Sequence, residues 1–249
     1  MNKGTRAFSV LFLLFQVNPR QIVEEAQRRT TSQSQRYEGT LRVLDAKGKI
    51  TEKRWQYDRV GSHGSSKAVL RFTAPPEVKG VALLINNHPD KASDQWMWTP
   101  AINRERRIAL QDRSTRFFGT DFSFEDLEER DTHQFEYRLL GDEPIDGAAC
   151  WKLESIPRQS KASQYNHSYL WIRKDNFALA QIDNYSKDQL VRRGHYTDIR
   201  NDQGIWTAHE IDMHDLKRNS HTILKIEKLQ YNVPMNDDAF TLQALRRET

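Results

Sequence analysis

The sequence predicts a mainly-β, antiparallel single domain, a sandwich or a barrel, and three observations carry that prediction. Apolar residues follow a period of two from Tyr37 onward, which places them on one face of successive strands. Turn-forming clusters recur at even spacing, among them Asp45-Ala46-Lys47-Gly48, Lys174-Asp175-Asn176 and Asn201-Asp202-Gln203-Gly204. Helices do not alternate with these strands, and no linker or repeat divides the 249 residues, a length that single all-β domains reach.

Taken in order, Arg20–Arg29 comes first, with Ile22, Val23 and Ala26 at helical spacing and Glu24 and Glu25 on the polar side, so a short helix precedes the sheet. Tyr37–Leu44 and Ile50–Val60 form the first hairpin. Gly61–Ser66 reads as a mobile loop, and Lys67–Thr73 and Gly80–Asn86 as two further strands. Val81–Ile85 is apolar on both faces, which requires cover on each side. Beyond residue 133, strands are expected at Gln134–Leu140, Ala149–Ile156, Tyr169–Arg173, Phe177–Asn184, Arg192–Ile199, Ile205–Met213 and Thr222–Tyr231. The expected total is about eleven strands.

The most informative stretch is Asp94–Leu127. Trp96 and Trp98 are two apart, so both rings point to one face of a strand and Met97 to the other. Pro100 ends that strand, and a second one alternates through Arg104, Arg106 and Ile108 to about Leu110. Phe117-Phe118 then precede Gly119, which can turn the chain. Asp121 or Ser123 can cap a following helix, with Glu125 and Asp126 in its first turn where the dipole favours carboxylates. The whole reads as a hairpin followed by a helical lid.

Trp96-Met97-Trp98-Thr99-Pro100-Ala101, then Arg106-Arg107-Ile108, then Phe117-Phe118-Gly119-Thr120-Asp121-Phe122-Ser123-Phe124-Glu125-Asp126-Leu127 resembles the signature block of the outer-membrane lipoprotein-sorting proteins, relatives of the LolA periplasmic carrier. Phe72–Leu84 is similar to the preceding segment of the same family. The resemblance implies a single curved antiparallel sheet, an incomplete, half-open barrel with short helices as a lid. It also implies a periplasmic carrier for lipid or lipid-modified protein that shields acyl chains in an apolar cavity and works with an inner-membrane transporter. On that reading the walls are Trp55, Leu83, Ile85, Trp96, Trp98, Leu153 and Trp171, with Phe117, Phe118, Phe122 and Phe124 on the lid. The alternative is a non-enzymatic periplasmic module, monomeric like the carrier, that docks on an exporter or a signalling partner.

The ends and the composition bound this further. Lys3 and Arg6 precede the apolar run Ala7–Phe15, a pattern that directs export, so residues 1–16 read as a signal-like segment and 17–249 as the domain of a Gram-negative periplasmic protein. Gln16-Val17-Asn18-Pro19 supplies no small-x-small cleavage site, and an amphipathic lead-in packed on the domain is the competing reading. A net charge of +4, from 38 basic and 34 acidic residues, argues against nucleic acid, since Arg104, Arg106, Arg107, Arg113 and Arg116 are interleaved with Glu105 and Asp112. The lone Cys150 excludes an intrachain disulfide and a cysteine-based zinc site. His209 and His214 are five apart, where the helical zinc motif needs four. Asp121, Glu125 and Asp126 could pair as hydrolytic carboxylates, but capping explains them without further partners. No nucleophile elbow, phosphate-binding glycine loop or dinucleotide fingerprint is present, so neither catalysis nor a cofactor is expected.

Overall fold

The computed structural model describes residues 18–89 and 91–247; the export-like segment at 1–16 lies outside the described residues. Thirteen strands, rather than about eleven, form one antiparallel sheet that is not closed into a barrel. They are β1 (Ser34–Leu44), β2 (Ile50–Ser62), β3 (Ser65–Ala74), β4 (Ala82–Asn86), β5 (Asp94–Thr99), β6 (Arg104–Arg107), β7 (Phe135–Asp142), β8 (Cys150–Pro157), β9 (His167–Arg173), β10 (Leu179–Ser186), β11 (Gln189–Asp202), β12 (Ile205–Asp215) and β13 (Ser220–Tyr231).

The strand order is β6-β5-β4-β3-β2-β1-β13-β12-β11-β10-β9-β8-β7. The chain starts in the middle of the sheet and meanders outward from β1 to the β6 edge. It then crosses to the far edge at β7 and returns strand by strand until β13 pairs with β1, Leu41 opposite Leu224. Residues 108–134 make that one long crossing, and a crossing segment over a curved sheet becomes its cover.

The preceding helix, α1 (Pro19–Thr30), begins as its sequence dictates: Asn18 caps it by accepting from the Arg20 amide at 3.0 Å, and Pro19 occupies the first turn. It buries Ile22 and Val23 against Leu153, Leu170, Ile172 and Ile182 on the inner face of the half-barrel. The other half of that face carries Leu41, Trp55, Leu70, Phe72, Leu83 and Ile85.

Period-two alternation sends the intervening residues outward. Ala82, Leu84, Trp96 and Trp98 pack there against Phe240 and Leu245 from the C-terminal segment, which ends in a one-turn helix α2 (Leu242–Leu245). Arg71 ties that segment down by donating to the Leu245 carbonyl at 3.1 Å. The two-sided cover expected for Val81–Ile85 is thus supplied by the crossing segment inside and the C-terminal segment outside.

Three local expectations are corrected. Gly61–Ser66 is not a loop: β2 and β3 run through it, joined by the two-residue turn His63-Gly64 with φ of 41° and 81°, the positive-φ pair that a tight hairpin needs. The strand expected to reach Leu110 stops at Arg107, and Leu110–Asp112 is a 3-10 turn. No helix follows Asp121; residues 121–131 form turns. Ser123 does make a cap-type exchange with Asp126, its amide donating to the Asp126 carboxylate at 2.7 Å and its hydroxyl accepting from the Asp126 amide at 3.2 Å, but the turn does not propagate, and Asp121 finds tertiary partners instead.

Candidate functional site: a cavity between helix α1 and the sheet

The crossing segment is built as a small hairpin. Arg116 bridges Ser123, the Phe117 amide donates to the Phe122 carbonyl at 2.8 Å, and the turn passes through Gly119 at φ +73°. It drives aromatic rings into one half of the inner face. Phe117 stacks on Phe72 with ring centroids 5.3 Å apart and meets Phe124 edge-on at 5.6 Å. That half of the barrel is filled.

Three polar anchors hold the segment in place. Asp121, fully buried, accepts from Ser220 at 2.6 Å and from Thr222 at 2.8 Å, and pairs with Arg116 at 2.8 Å. Asp126 accepts from the Tyr165 hydroxyl at 2.7 Å and from Arg192 at 3.3 Å. Glu128 lies between Arg113 and Lys161, the latter at 2.8 Å. A charge buried this deeply is tolerable only with such partners.

The half beneath α1 is not filled. Val23 and Ala26 of the helix, Tyr37 of β1, Ile172 of β9, Tyr196 of β11 and Ile226 of β13 surround a cavity of about 390 Å³. Tyr37 marks its border with the filled half, stacked on Tyr57 with centroids 4.8 Å apart. Burial pushes the Tyr196 phenol up to about 12 and that of Tyr37 well above its ordinary range, so both walls are neutral at any physiological pH.

One side of the cavity is polar. The nearly buried Arg59 donates to the Ser32 hydroxyl at 2.9 Å and pairs with Glu129 at 3.4 Å, while His63 lies 3.1 Å from the Thr30 hydroxyl. A smaller cavity of about 210 Å³ adjoins it through Glu129, Arg130, Leu179 and Tyr196 and is lined by Glu125, Asp126, Glu128 and Lys161. Burial raises the Glu125 carboxyl above its ordinary value despite hydrogen bonds from Gln164 and Ser163. The space therefore has an aliphatic and aromatic body and a charged end.

The residues singled out from the sequence are split by the sheet. Trp55, Leu83, Ile85, Phe117, Phe118, Phe122 and Phe124 do come together, in the filled half of the inner face. Leu153 lies on the inner face beneath α1. Trp96 and Trp98 are on the opposite face, and so is Trp171, which packs with Cys150 and Ala180 under the Lys152 ammonium. None of the eleven lines the larger cavity. The signal that could have found its walls is the α1 stripe of Ile22, Val23 and Ala26, which needs an apolar sheet face to cover. His209 and His214 both fall on β12: His209 contacts Asp202 at 2.8 Å and His214 packs on His221.

A family model described as an uncharacterized protein matches residues 64–247, most of the chain. The chain belongs to that family. No curated protein matches it. Among similar solved structures is a proposed outer membrane lipoprotein-sorting protein domain from Vibrio parahaemolyticus, 24% identical, covering 92% of this chain and 98% of its own with a TM-score of 0.87. A DUF1329 family protein from Desulfovibrio piger is 26% identical, covers 91% of this chain and 97% of its own, and also gives a TM-score of 0.87. A LolA superfamily protein from Nitrosomonas europaea is 22% identical, with 92% and 100% coverage and a TM-score of 0.72. The fold of this family member is therefore the LolA-like half-barrel, as the Trp-x-Trp and Phe-Phe-Gly-Thr-Asp blocks implied.

Proposed function

We propose that this protein is a periplasmic carrier-type domain that holds an acyl chain of a lipid or a lipid-modified protein in the cavity under α1, and that it performs no catalysis. The observation that carries the reading is the cavity itself: about 390 Å³ left unfilled among Val23, Tyr37, Ile172, Tyr196 and Ile226, in a chain whose other inner half is packed with phenylalanines. The space is a cleft open to solvent, and its apolar lining lacks the dispersion contacts that a filled core would give it. An acyl chain would restore them, and each buried CH₂ contributes about 0.8 kcal/mol.

Arg59, Glu129 and Arg130 at the polar side suit the junction where a chain meets its headgroup. The names of the similar structures, one of them linked to outer membrane lipoprotein sorting, support the same reading and the periplasmic location. The ligand site proposed here replaces the tryptophan-lined one expected from the sequence.

The test is mass spectrometry of organic extracts from natively purified protein, paired with displacement of a fluorescent fatty acid. An acyl-bearing species is expected in the extract, and Ala26→Trp, which puts an indole into the cavity, should abolish fatty-acid binding while the fold is retained. Lipid-free extracts together with no fatty-acid binding by the parent protein would sink the reading.

A further inference from the structure

In an antiparallel meander every second turn lies at the same end of the sheet, so the turns of this half-barrel fall into two sets. One set comprises 45–49 between β1 and β2, 75–81 between β3 and β4, 100–103 between β5 and β6, and 216–219 between β12 and β13. These turns and the first residue of β6 present Lys47, Lys49, Lys79, Arg104, Lys217 and Arg218, all exposed, against Asp45 and Glu77. Asp45 is itself engaged by the amides of Lys47 and Lys49, each at 2.9 Å. The remaining turns at this end do not reverse the balance: 187–188 is Lys-Asp, and the loop 158–166 adds Arg158 and a Lys161 already paired with Glu128.

The opposite end has the other sign. Its turns and residues 232–240 carry Glu143, Asp146, Asp175, Asp237 and Asp238, with Lys91 and Lys174 as the described basic residues of those stretches. A net charge of only +4 thus conceals two sets of turns that carry opposite signs.

Two further features occur at the basic end. Ile50, Ile102 and Leu216, at or beside the tips, are 53%, 65% and 37% exposed. Between the crossing hairpin and the β12–β13 tip lies a pocket of about 460 Å³ whose walls include Arg116, Arg192, Lys217 and Arg218, the Ser114 and Thr115 hydroxyls, and one carboxylate, Asp215. Arg116 is held by Asp121 and the Gly119 and Thr120 carbonyls, and Arg192 by Asp126 and Tyr165, so the exposed Lys217 and Arg218 are the cations here that suit a phosphate. Exposed aliphatics flanked by lysines suit the boundary between headgroups and acyl chains, where an apolar tip is buried and its neighbours meet anionic lipid.

We propose that this basic end docks on an anionic membrane surface, with Ile50, Ile102 and Leu216 entering the headgroup layer and a phospholipid phosphate seated by Lys217 and Arg218. No helix among the described residues is long and apolar enough to cross a membrane. The proposal stands on the distribution of charge and does not rest on what the cavity under α1 holds.

The test is co-sedimentation of the purified full chain with vesicles of phosphatidylglycerol and phosphatidylethanolamine, and with vesicles of phosphatidylcholine alone. Binding is expected to the anionic vesicles and to weaken as salt shortens the screening length from about 10 Å at 0.1 M to about 3 Å at 1 M. Combined Lys47→Glu, Lys49→Glu, Lys217→Glu and Arg218→Glu should lower the affinity at least about tenfold, since each cation near an anionic surface contributes measurably. These side chains are exposed, so an unchanged circular dichroism spectrum is expected alongside. Ile50→Ser with Ile102→Ser and Leu216→Ser should remove the binding that survives high salt. Equal binding to both vesicle types, retention by the charge-reversed variant, or binding of free inorganic phosphate or of an acidic protein with no vesicle binding would overturn the proposal.

Discussion

The Thr222 hydroxyl donates to the Asp121 carboxylate at 2.8 Å and accepts from the Asp121 amide at 2.8 Å, and both residues are fully buried although 101 positions separate them. This two-way contact fastens the tip of the crossing hairpin to β13, with Ser220 and Arg116 completing the carboxylate's shell. It decides how the phenylalanines between residues 117 and 124 are held over the inner face, and so which half of the barrel is filled.

Asp121→Ala would leave Arg116, Ser220 and Thr222 without their shared acceptor. Removing one member of a buried charged network costs about 3 kcal/mol or more. Urea denaturation should show a loss of that order, and limited proteolysis should cut sooner within residues 108–134. A midpoint unchanged from the parent protein would mean that the anchor is redundant with those at Asp126 and Glu128.

Gly119, at φ +73°, reverses the same hairpin with open space around its missing side chain. Gly119→Val therefore meets no clash, and its cost is backbone strain alone, roughly 1–3 kcal/mol for a β-branched residue in that region. Gly119→Asn, which tolerates the left-handed conformation better, should recover most of the loss. Equal stabilities for the two variants would assign the effect to something other than φ.

The sheet was legible because period-two patterning is local. Tyr37, Leu41 and Val43, or Trp96 and Trp98, reveal a shared face within a few residues. Which face is inner is not local information: alternation puts Trp98 opposite Met97, and only the docking of Phe240 and Leu245 from the far end of the chain makes the tryptophan side the outer one. The cavity escaped for the same reason, since Val23, Tyr37, Ile172 and Ile226 meet only after the sheet has curved. The turn-built lid resembles a helix in sequence because Asp121, Ser123, Glu125 and Asp126 have the composition of a helix start. Their partners Thr222, Gln164 and Arg192 lie far along the chain.

His63 lines the cavity and meets Thr30 of α1, with Glu129, Arg59 and Asp131 as its charged neighbours. Burial lowers its pKa below the ordinary value of 6.5, against the opposing pull of Glu129. The folded state then binds fewer protons than the unfolded one just below that value, so this group's contribution to stability is fully present above 6.5 and is lost as pH falls through the depressed folded value. Urea midpoints should accordingly drop from about pH 7.5 to about pH 5.5, and His63→Gln should flatten that part of the profile. An identical pH dependence in the variant would exclude His63 as the group responsible.

The two faces of the sheet give the cavity a spectroscopic test. Trp206 lines the cavity and is 37% exposed, whereas Trp96 and Trp98 lie on the outer face beneath the C-terminal segment. A brominated acyl chain quenches only over short range, so a bound one should dim Trp206 and leave Trp96 and Trp98 bright. Trp206→Phe should remove the quenching, and Trp98→Phe should not. Trp98→Ala should instead cost about 3–5 kcal/mol, because it opens a void against Phe240 and Leu245, with acyl binding unchanged in whatever fraction stays folded. Quenching that disappeared with Trp98 and persisted without Trp206 would put the acyl chain on the outer face and reverse the assignment of the site.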